Sequence, residues 1–295
     1  MPTTGLTDTQ IEHYRKEGYL ILPAFFDRDD LDRVDATIRD IAEAAIKTDD
    51  YSQVLELEPE ASDDHPVVRR IHNPYDRHET FRQLANTARL VDCVQSLIGP
   101  NINLQHSKLN MKPPAIGSVV EWHQDLAYFP HTNDDLVTML LYLDDASEHN
   151  GCLRVLPRHH THFFDHHTPD GYFAGMATED LDCGRFGQAV SLEAPAGSVI
   201  LMHCITPHSS HPNRSSQARR TLIFEYRAAD AFPISCQGST VAAETDRPIR
   251  GKPARFARFG GPPPYIPRFD SAYESLYQLQ TRSKAKMTEQ DQITN

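Results

Sequence analysis

No two cysteines stand at C-x-x-C spacing, and the five present (Cys93, Cys152, Cys183, Cys204 and Cys236) are odd in number and scattered. They offer no disulfide framework. They fit a reducing, cytoplasmic compartment in which thiols serve as small buried hydrophobes. Basic charge is short as well: 29 Lys and Arg face 41 Asp and Glu, a formal net charge of -12. Nucleic acid and anionic membranes both need a basic patch, so neither is expected as the main partner. Long apolar runs are missing. The longest, Val137–Leu143, is strand-sized, whereas a membrane helix needs about 20 residues. The first ten residues have no basic n-region and no apolar h-region, so a secretory leader is not expected. No G-x-G-x-x-G, P-loop or G-x-S-x-G occurs, which removes the main support for dinucleotide, nucleotide-triphosphate and hydrolase-elbow readings.

What remains is an ordinary globular composition, 39% hydrophobic and 24% charged over 295 residues, enough for a sizeable core. The first hundred residues read as helical. Thr7 and Gln10 match a capping box, and Gly18 is a good residue to end that helix. Tyr19–Leu22 reads as a short strand. Asp27 can cap a second helix whose Leu31, Val34, Ile38, Ile41 and Ala45 form one buried stripe. Residues 47–66 look like an acidic loop, and a third helical stretch covers 79–98. From Asn101 onward the pattern changes to short β-type runs at 102–111, 118–128, 136–143, 152–156, 189–192, 198–203 and 221–227. Turn signals such as Asn150-Gly151 and Pro195-Ala196-Gly197 separate them. Such punctuation predicts an all-β barrel or jelly roll. The tail after Ala228 reads as a wrapping segment and then a charged, partly mobile end.

Trp122-His123-Gln124-Asp125 is the most informative tetrapeptide. On a strand, residues two apart share a side, so His123 and Asp125 present an imidazole and a carboxylate together. A second imidazole from a later strand would complete a 2-His-1-carboxylate facial triad, the donor set of non-haem Fe(II) oxygenases. A plain polar pair at a strand end competes with this reading, because H-x-D is a weak signal alone.

Three further segments strengthen it: WHQDLAYFP (122–130), NGCLRVLP (150–157) and H-x-S-x-x-N-x-S (208–215), with Arg219 eleven residues after His208. In these pieces, their order and their spacing, the chain resembles the phytanoyl-CoA dioxygenase family of Fe(II)/2-oxoglutarate oxygenases. The resemblance implies a mainly β protein with flanking helices, built on a double-stranded β-helix (jelly roll). It implies one oxygenase domain over 1–295, with a helical layer at 1–100, the jelly-roll core at 101–228 and the wrapping segment and tail at 229–295. It implies Fe(II) held by His123, Asp125 and His208, with His203 and His211 as non-ligands. It implies that Arg219 grips the distal carboxylate of the co-substrate 2-oxoglutarate, helped by Ser210, with O2 as the second co-substrate. A planar guanidinium suits that task, and strand alternation turns Arg220 to the opposite face. Lys108 and Leu141 are implied as further neighbours of the co-substrate. Lys108, Asn110 and Lys112 share a face by alternation, and solvent-facing side chains on an edge strand compete with the pocket role. Where the family turn is commonly Pro-Gly-Ser-His, this chain has Pro157-Arg158-His159-His160, which leaves the turn's conformation open.

The reaction implied is hydroxylation of a small organic molecule, with succinate and CO2 released. Asp125 disfavours halogenation, which needs a small residue there. Two readings compete. A cupin-type metal-binding or sensor protein would use the same three ligands but would not need Arg219 and Ser210. The tract His159, His160, His162, His166 and His167 could bind a metal adventitiously; otherwise 158–187 reads as a mobile, substrate-side loop, and such loops are often lids. Neither the substrate's identity nor the oligomeric state is written in the sequence.

Overall fold

Local sequence signals set the first elements. The Thr7 hydroxyl accepts from the Gln10 amide and the Gln10 side chain accepts from the Thr7 amide, closing the capping box of α1 (Asp8–Glu17). Gly18 ends it at φ 86, the left-handed conformation glycine adopts without strain. β1 (Tyr19–Leu22) follows, and Asp27 caps α2 (Arg28–Ile46), whose Leu31, Val34, Ile38 and Ala45 are buried. The computed structural model describes residues 5–48, 51–58, 67–115, 117–234, 247–262 and 276–294. Cys236, most of the acidic stretch after Glu58 and the prolines from Pro263 to Pro267 lie outside the described residues.

Inside the expected loop, Leu55–Leu57 forms β2, and it pairs with β3 (Val68–His72). The short helix α3 (Pro74–Arg77) comes first, and the expected single helix over 79–98 is two pieces, α4 (Glu79–Ala85) and α5 (Ala88–Ile98). The break falls at Asn86-Thr87, where the Asn86 side-chain amide donates to the Arg82 carbonyl and Thr87 leaves helical geometry. The strands that follow are β4 (Ile102–Lys112), β5 (Val120–His123), β6 (Leu136–Tyr142), β7 (Arg154–Val155), β8 (Val190–Ser191), β9 (Val199–His203), β10 (His208–Ser210), β11 (Arg219–Ala228) and β12 (Arg247–Arg250). In the expected tail stands a helix, α6 (Leu276–Thr294), whose Leu279 and Gln280 are buried.

Two antiparallel sheets face each other. The larger runs β1-β9-β6-β11-β4-β3-β2, with β12 also on β4, and the smaller runs β5-β10-β7-β8. This is the expected jelly roll. Its two faces are chemically different. On the outer face of the large sheet, Val137, Met139, Leu141, Leu222, Phe224 and Tyr226 pack with the helical layer. On the inner face, Leu140, Tyr142 and Ile223 meet Val155, Ile200 and Met202 between the sheets. Neighbours along that inner face are polar: Thr138, Arg219, Thr221, Glu225 and Arg227 are all buried. β4 bulges against β11 at Gln105, so Glu225 stands opposite His106 and Tyr226 opposite Leu104. The bulge brings Gln105 and His106 both to the inner side.

Residues 158–187 are not a free flap. Phe164, Ala177 and Leu181 pack with Trp122 and Leu156, and the Ala177 amide donates to the Trp122 carbonyl at 2.7 Å. The segment is part of the core beside β5.

Gly197 tightens the turn into β9. It sits at φ 84, and a Cβ there would lie 2.2 Å from the Phe26 carbonyl oxygen, which cannot move without unseating α2. Gly197→Ala is expected to cost about 1–3 kcal/mol from its left-handed conformation alone, and more from the clash. Denaturant unfolding of the two proteins checks this; equal midpoints would contradict the turn as described.

Candidate metal and co-substrate site

β5 and β10 pair antiparallel with His123 directly opposite His208. The strand ends at His123, and Asp125 begins a 3-10 turn. Gln124 between them is still extended, at φ -123 and ψ 131, so the alternation that puts His123 and Asp125 on one side survives the end of the strand. The candidate donor atoms of His123, Asp125 and His208 all lie within 4.8 Å of one another, and no other such group of three exists among the described residues.

The second shell prepares both imidazoles. His123 Nδ1 lies 2.8 Å from the Glu121 carbonyl and His208 Nδ1 3.0 Å from the Thr206 carbonyl. Each Nδ1–H donates to the carbonyl two residues back. That fixes the tautomer and leaves the Nε2 lone pair free for a metal. Burial pulls both imidazoles below their ordinary pKa, and for His123 the neighbouring His208 adds to it. Neutral imidazole is the ligating form. Burial pushes the Asp125 carboxyl up, but the Lys108 ammonium and the two imidazoles outweigh it and hold the group ionised. Asp125 Oδ2 accepts from the Thr138 hydroxyl at 2.7 Å, and Oδ1 lies 3.8 Å from His208 Nε2. Two neutral imidazoles and one carboxylate on a single side, with no fourth ligand of this kind grouped with them among the described residues, form an open site that fits Fe(II).

Gln124 locks this turn in place. Its side chain donates to the His162 and Ile205 carbonyls, both at 2.6 Å, and accepts from the Phe164 amide at 2.8 Å. Its own amide donates to His166 Nε2 at 3.1 Å.

A second feature opens toward the interior. Arg219 is buried at the start of β11, on the inner face. Its Nε and Nη2 both donate to the Gly151 carbonyl, at 2.9 and 2.5 Å, and Nη1 donates to Thr221 Oγ1 at 2.6 Å. Of five N–H groups that leaves one on each terminal nitrogen, donors a carboxylate can take. No carboxylate of the described residues pairs with it, so a buried cation awaits an anion. Gly151 takes φ 78, and a Cβ there would meet the His211 carbonyl at 2.4 Å. Arg220 points the other way: it donates to Asp144 at 2.7 Å through Nη2 and to Asp35 through Nη1.

A family model described as Phytanoyl-CoA dioxygenase (PhyH) matches residues 14–221. The chain belongs to the phytanoyl-CoA dioxygenase family. A protein of Stutzerimonas stutzeri described as a probable alpha-ketoglutarate-dependent hypophosphite dioxygenase is 32% identical over 76% of this chain and 80% of its own length. The L-proline trans-4-hydroxylase of Streptomyces griseoviridis is 28% identical over 77% of this chain and 88% of its own length. The crystal structure of EctD from S. alaskensis with bound Fe superposes with a TM-score of 0.69, at 21% identity, over 84% of this chain and 88% of that one. This family member is an Fe(II)- and 2-oxoglutarate-dependent dioxygenase acting on small molecules, and the reading as a cupin-type metal-binding module falls away.

The structure sorts the other expected residues. Ser210 is buried two residues beyond His208 on β10. Lys108 stands at the metal end of the site, its Nζ 3.8 Å from Asp125 Oδ1 and 3.6 Å from Glu225 Oε1. Lys112 is a brace: its ammonium donates to the Ser118, His211 and Ser210 carbonyls at 2.6, 2.5 and 3.5 Å. Leu141 is a correction. It lies in the outer core with Met139 and Val137, and its neighbour Leu140 takes the inner face with Ile223. His203 faces α1, packing on Tyr14 and His160, and its Nδ1 accepts from the Ile205 amide. Of the histidine tract, His159 and His160 bond to the Phe186 and Arg15 carbonyls and His166 to Gln124. Arg158 holds its turn at φ 68, and its guanidinium pairs with Glu17 at 2.9 Å. Thr138, Glu225 and Gln124 had no place in the expected site. Two carried a signal: Thr138 interrupts the apolar run of β6, and Glu225 is the one acid in β11.

Burial holds the pKa of His131 and His166 down to about 4 from 6.5. In the unfolded chain each takes up a proton near pH 6.5 that the folded protein refuses. Stability is therefore full above that pH and falls as pH drops toward about 4. The metal-free protein is expected to lose about 1–2 kcal/mol per such histidine between about pH 6.5 and 5. A flat denaturation profile across that window would contradict the neutral, buried assignment.

Proposed function

We propose that His123, Asp125 and His208 hold Fe(II), and that Arg219 with Ser210 holds the distal carboxylate of 2-oxoglutarate. The buried, carboxylate-free guanidinium of Arg219 carries this reading, since a protein that only bound metal would not bury an unpaired cation there. Bound Fe(II) supplies the activation of O2, with 2-oxoglutarate oxidised to succinate and CO2 and one oxygen atom delivered to a C–H bond or comparable position of the substrate. The chain's own residues do the rest. The Nδ1–carbonyl bonds aim both imidazoles, Thr138 and Lys108 orient Asp125, and the Gly151 carbonyl and Thr221 aim Arg219.

The substrate we propose is a small polar molecule carrying an anionic oxygen group. Asn103, Gln105, His106, Lys108 and Asn110 make the inner face of β4 polar along most of its length, which suits no fatty acyl chain. Lys108 is 24% exposed in its side chain beside Asp125, and it can meet such a group. The relatives named for hypophosphite and L-proline act on molecules of that kind. The free thiols Cys93, Cys152 and Cys204 are buried, in keeping with a cytoplasmic location, and no described helix is long and apolar enough to cross a membrane.

Anaerobic titration of 2-oxoglutarate into Fe(II)-loaded protein, followed by the metal-to-ligand charge-transfer band, tests the assignment. Arg219→Ala is expected to weaken 2-oxoglutarate about thirty- to a thousand-fold, the loss of about 2–4 kcal/mol from a buried bidentate contact, with Fe(II) binding preserved. Arg220→Ala is expected to leave that curve in place and lower stability instead, because it unties Asp35 of α2 from Asp144. Overlaid Arg219→Ala and wild-type curves would overturn the co-substrate site.

A further inference from the structure

Glu225 is the one carboxyl buried beside the metal triad that the reaction as described leaves unused. It is 0% exposed, in the middle of β11 and on the inner face. Nothing in its strand explains it: its neighbours Phe224 and Tyr226 pack in the opposite, apolar core. An acid costs much in such a place unless it is paired or neutral.

The hydrogen bonds around it allow one arrangement. The Thr138 hydroxyl lies 2.7 Å from Asp125 Oδ2 and 2.6 Å from Glu225 Oε2. A hydroxyl has one proton to give, and two oxygens at that distance need a proton between each pair. Asp125 is the ionised partner, because a metal ligand must be deprotonated and the Lys108 ammonium lies 3.8 Å from its Oδ1. The second proton therefore sits on Glu225. Burial and the charge of Asp125 support this by raising the Glu225 carboxyl to about 8. Glu225 Oε1 has no hydrogen bond of its own, with Lys108 Nζ at 3.6 Å as its polar neighbour.

Resting on the assignment of Asp125 as a metal ligand, we propose that Glu225 is a positioning residue for the reaction. As a neutral acid it donates to Thr138 Oγ1, and Thr138 donates to Asp125 Oδ2. The chain ties down one carboxylate oxygen and presents the other, Oδ1, toward His208 Nε2, the side where the metal sits. Lys108 steadies the pair from the open side, 3.8 Å from Oδ1. An ordinary carboxylate at position 225 would repel Asp125; a neutral acid fixes it while leaving the site's charge at one carboxylate.

The test is Fe(II) affinity, measured anaerobically by competition with a chromophoric chelator, together with the charge-transfer band at saturating Fe(II) and 2-oxoglutarate. Thr138→Val and Glu225→Leu are each expected to weaken Fe(II) binding about tenfold or more and to shift the band, the usual scale for losing an outer-shell partner. Glu225→Gln, whose amide can make the same donation, and Thr138→Ser should stay within about threefold of wild type. The double variant Thr138→Val/Glu225→Leu should be no worse than the poorer single variant, because the two act as one chain. Glu225→Gln as damaging as Glu225→Leu, Thr138→Val indistinguishable from wild type, or multiplying effects in the double variant would each overturn the proposal. If Glu225→Leu does not fold, Thr138→Val against Thr138→Ser and Glu225→Gln against wild type decide it on the same readings. Wild-type protein that binds no Fe(II) would overturn the metal assignment and this inference with it; wild-type binding with unaltered variants overturns this inference alone.

Discussion

Everything at the site depends on the pairing of β10 with β5 that sets His208 opposite His123. β10 is three residues long and would not hold itself in place. It is trapped between β5 and β7, and its histidine side chain is buried with ring centroids 4.0 Å from those of His123. Burial in this packing disfavours a charge on either imidazole. The carbonyls of Glu121 and Thr206 take the Nδ1 protons, and burial keeps the second nitrogens bare. The protein thus accepts an electrostatically poor apo site whose deficit a divalent cation removes.

The sheets divide labour around that pairing. The outer face of the large sheet is a conventional apolar core with α2, α4 and α5. The inner face is graded along the strands: Thr138 and Glu225 at the metal level, Leu140 and Ile223 next, then Thr221 and Arg219. The candidate metal ligands and the guanidinium thus lie toward two ends of one inner face. Inward polar groups at each end are anchored, Asp125 by Thr138 and Arg219 by Gly151 and Thr221, which offsets part of the cost of burying them.

The pairing of His123 with Asp125 was legible because period-two alternation acts over a short distance and Gln124 stays extended past the strand's end; His208, on a distant strand, entered only through the family resemblance, and the structure brings the three together. Leu141 could not be placed in the same way. β6 is buried on both faces over all seven residues, so alternation separates Leu140 from Leu141 without saying which looks inward. Thr138 shows as a break in the apolar run of β6 and Glu225 as the one acid in β11, but their partnership crosses 87 positions and needs the register of β6 on β11. The helical layer was legible where caps are local, as at Thr7 and Asp27, and less so at Asn86-Thr87, where the chain breaks a helical stretch without glycine or proline. The segment 158–187 has no periodic pattern, and its order comes from buried contacts to Trp122 and Gln124 that no local signal announces. β2 and α6 are held chiefly by tertiary packing for the same reason.

The central claim is that one face of this jelly roll holds Fe(II) at His123, Asp125 and His208 while Arg219 receives the far end of 2-oxoglutarate. A crystal structure of the protein grown anaerobically with Fe(II) and 2-oxoglutarate tests it most directly. The account predicts metal density bonded to Nε2 of His123, Nε2 of His208 and Oδ1 of Asp125, with the co-substrate's distal carboxylate on the two free N–H groups of Arg219. Metal bound elsewhere, or 2-oxoglutarate ordered away from Arg219, would contradict it.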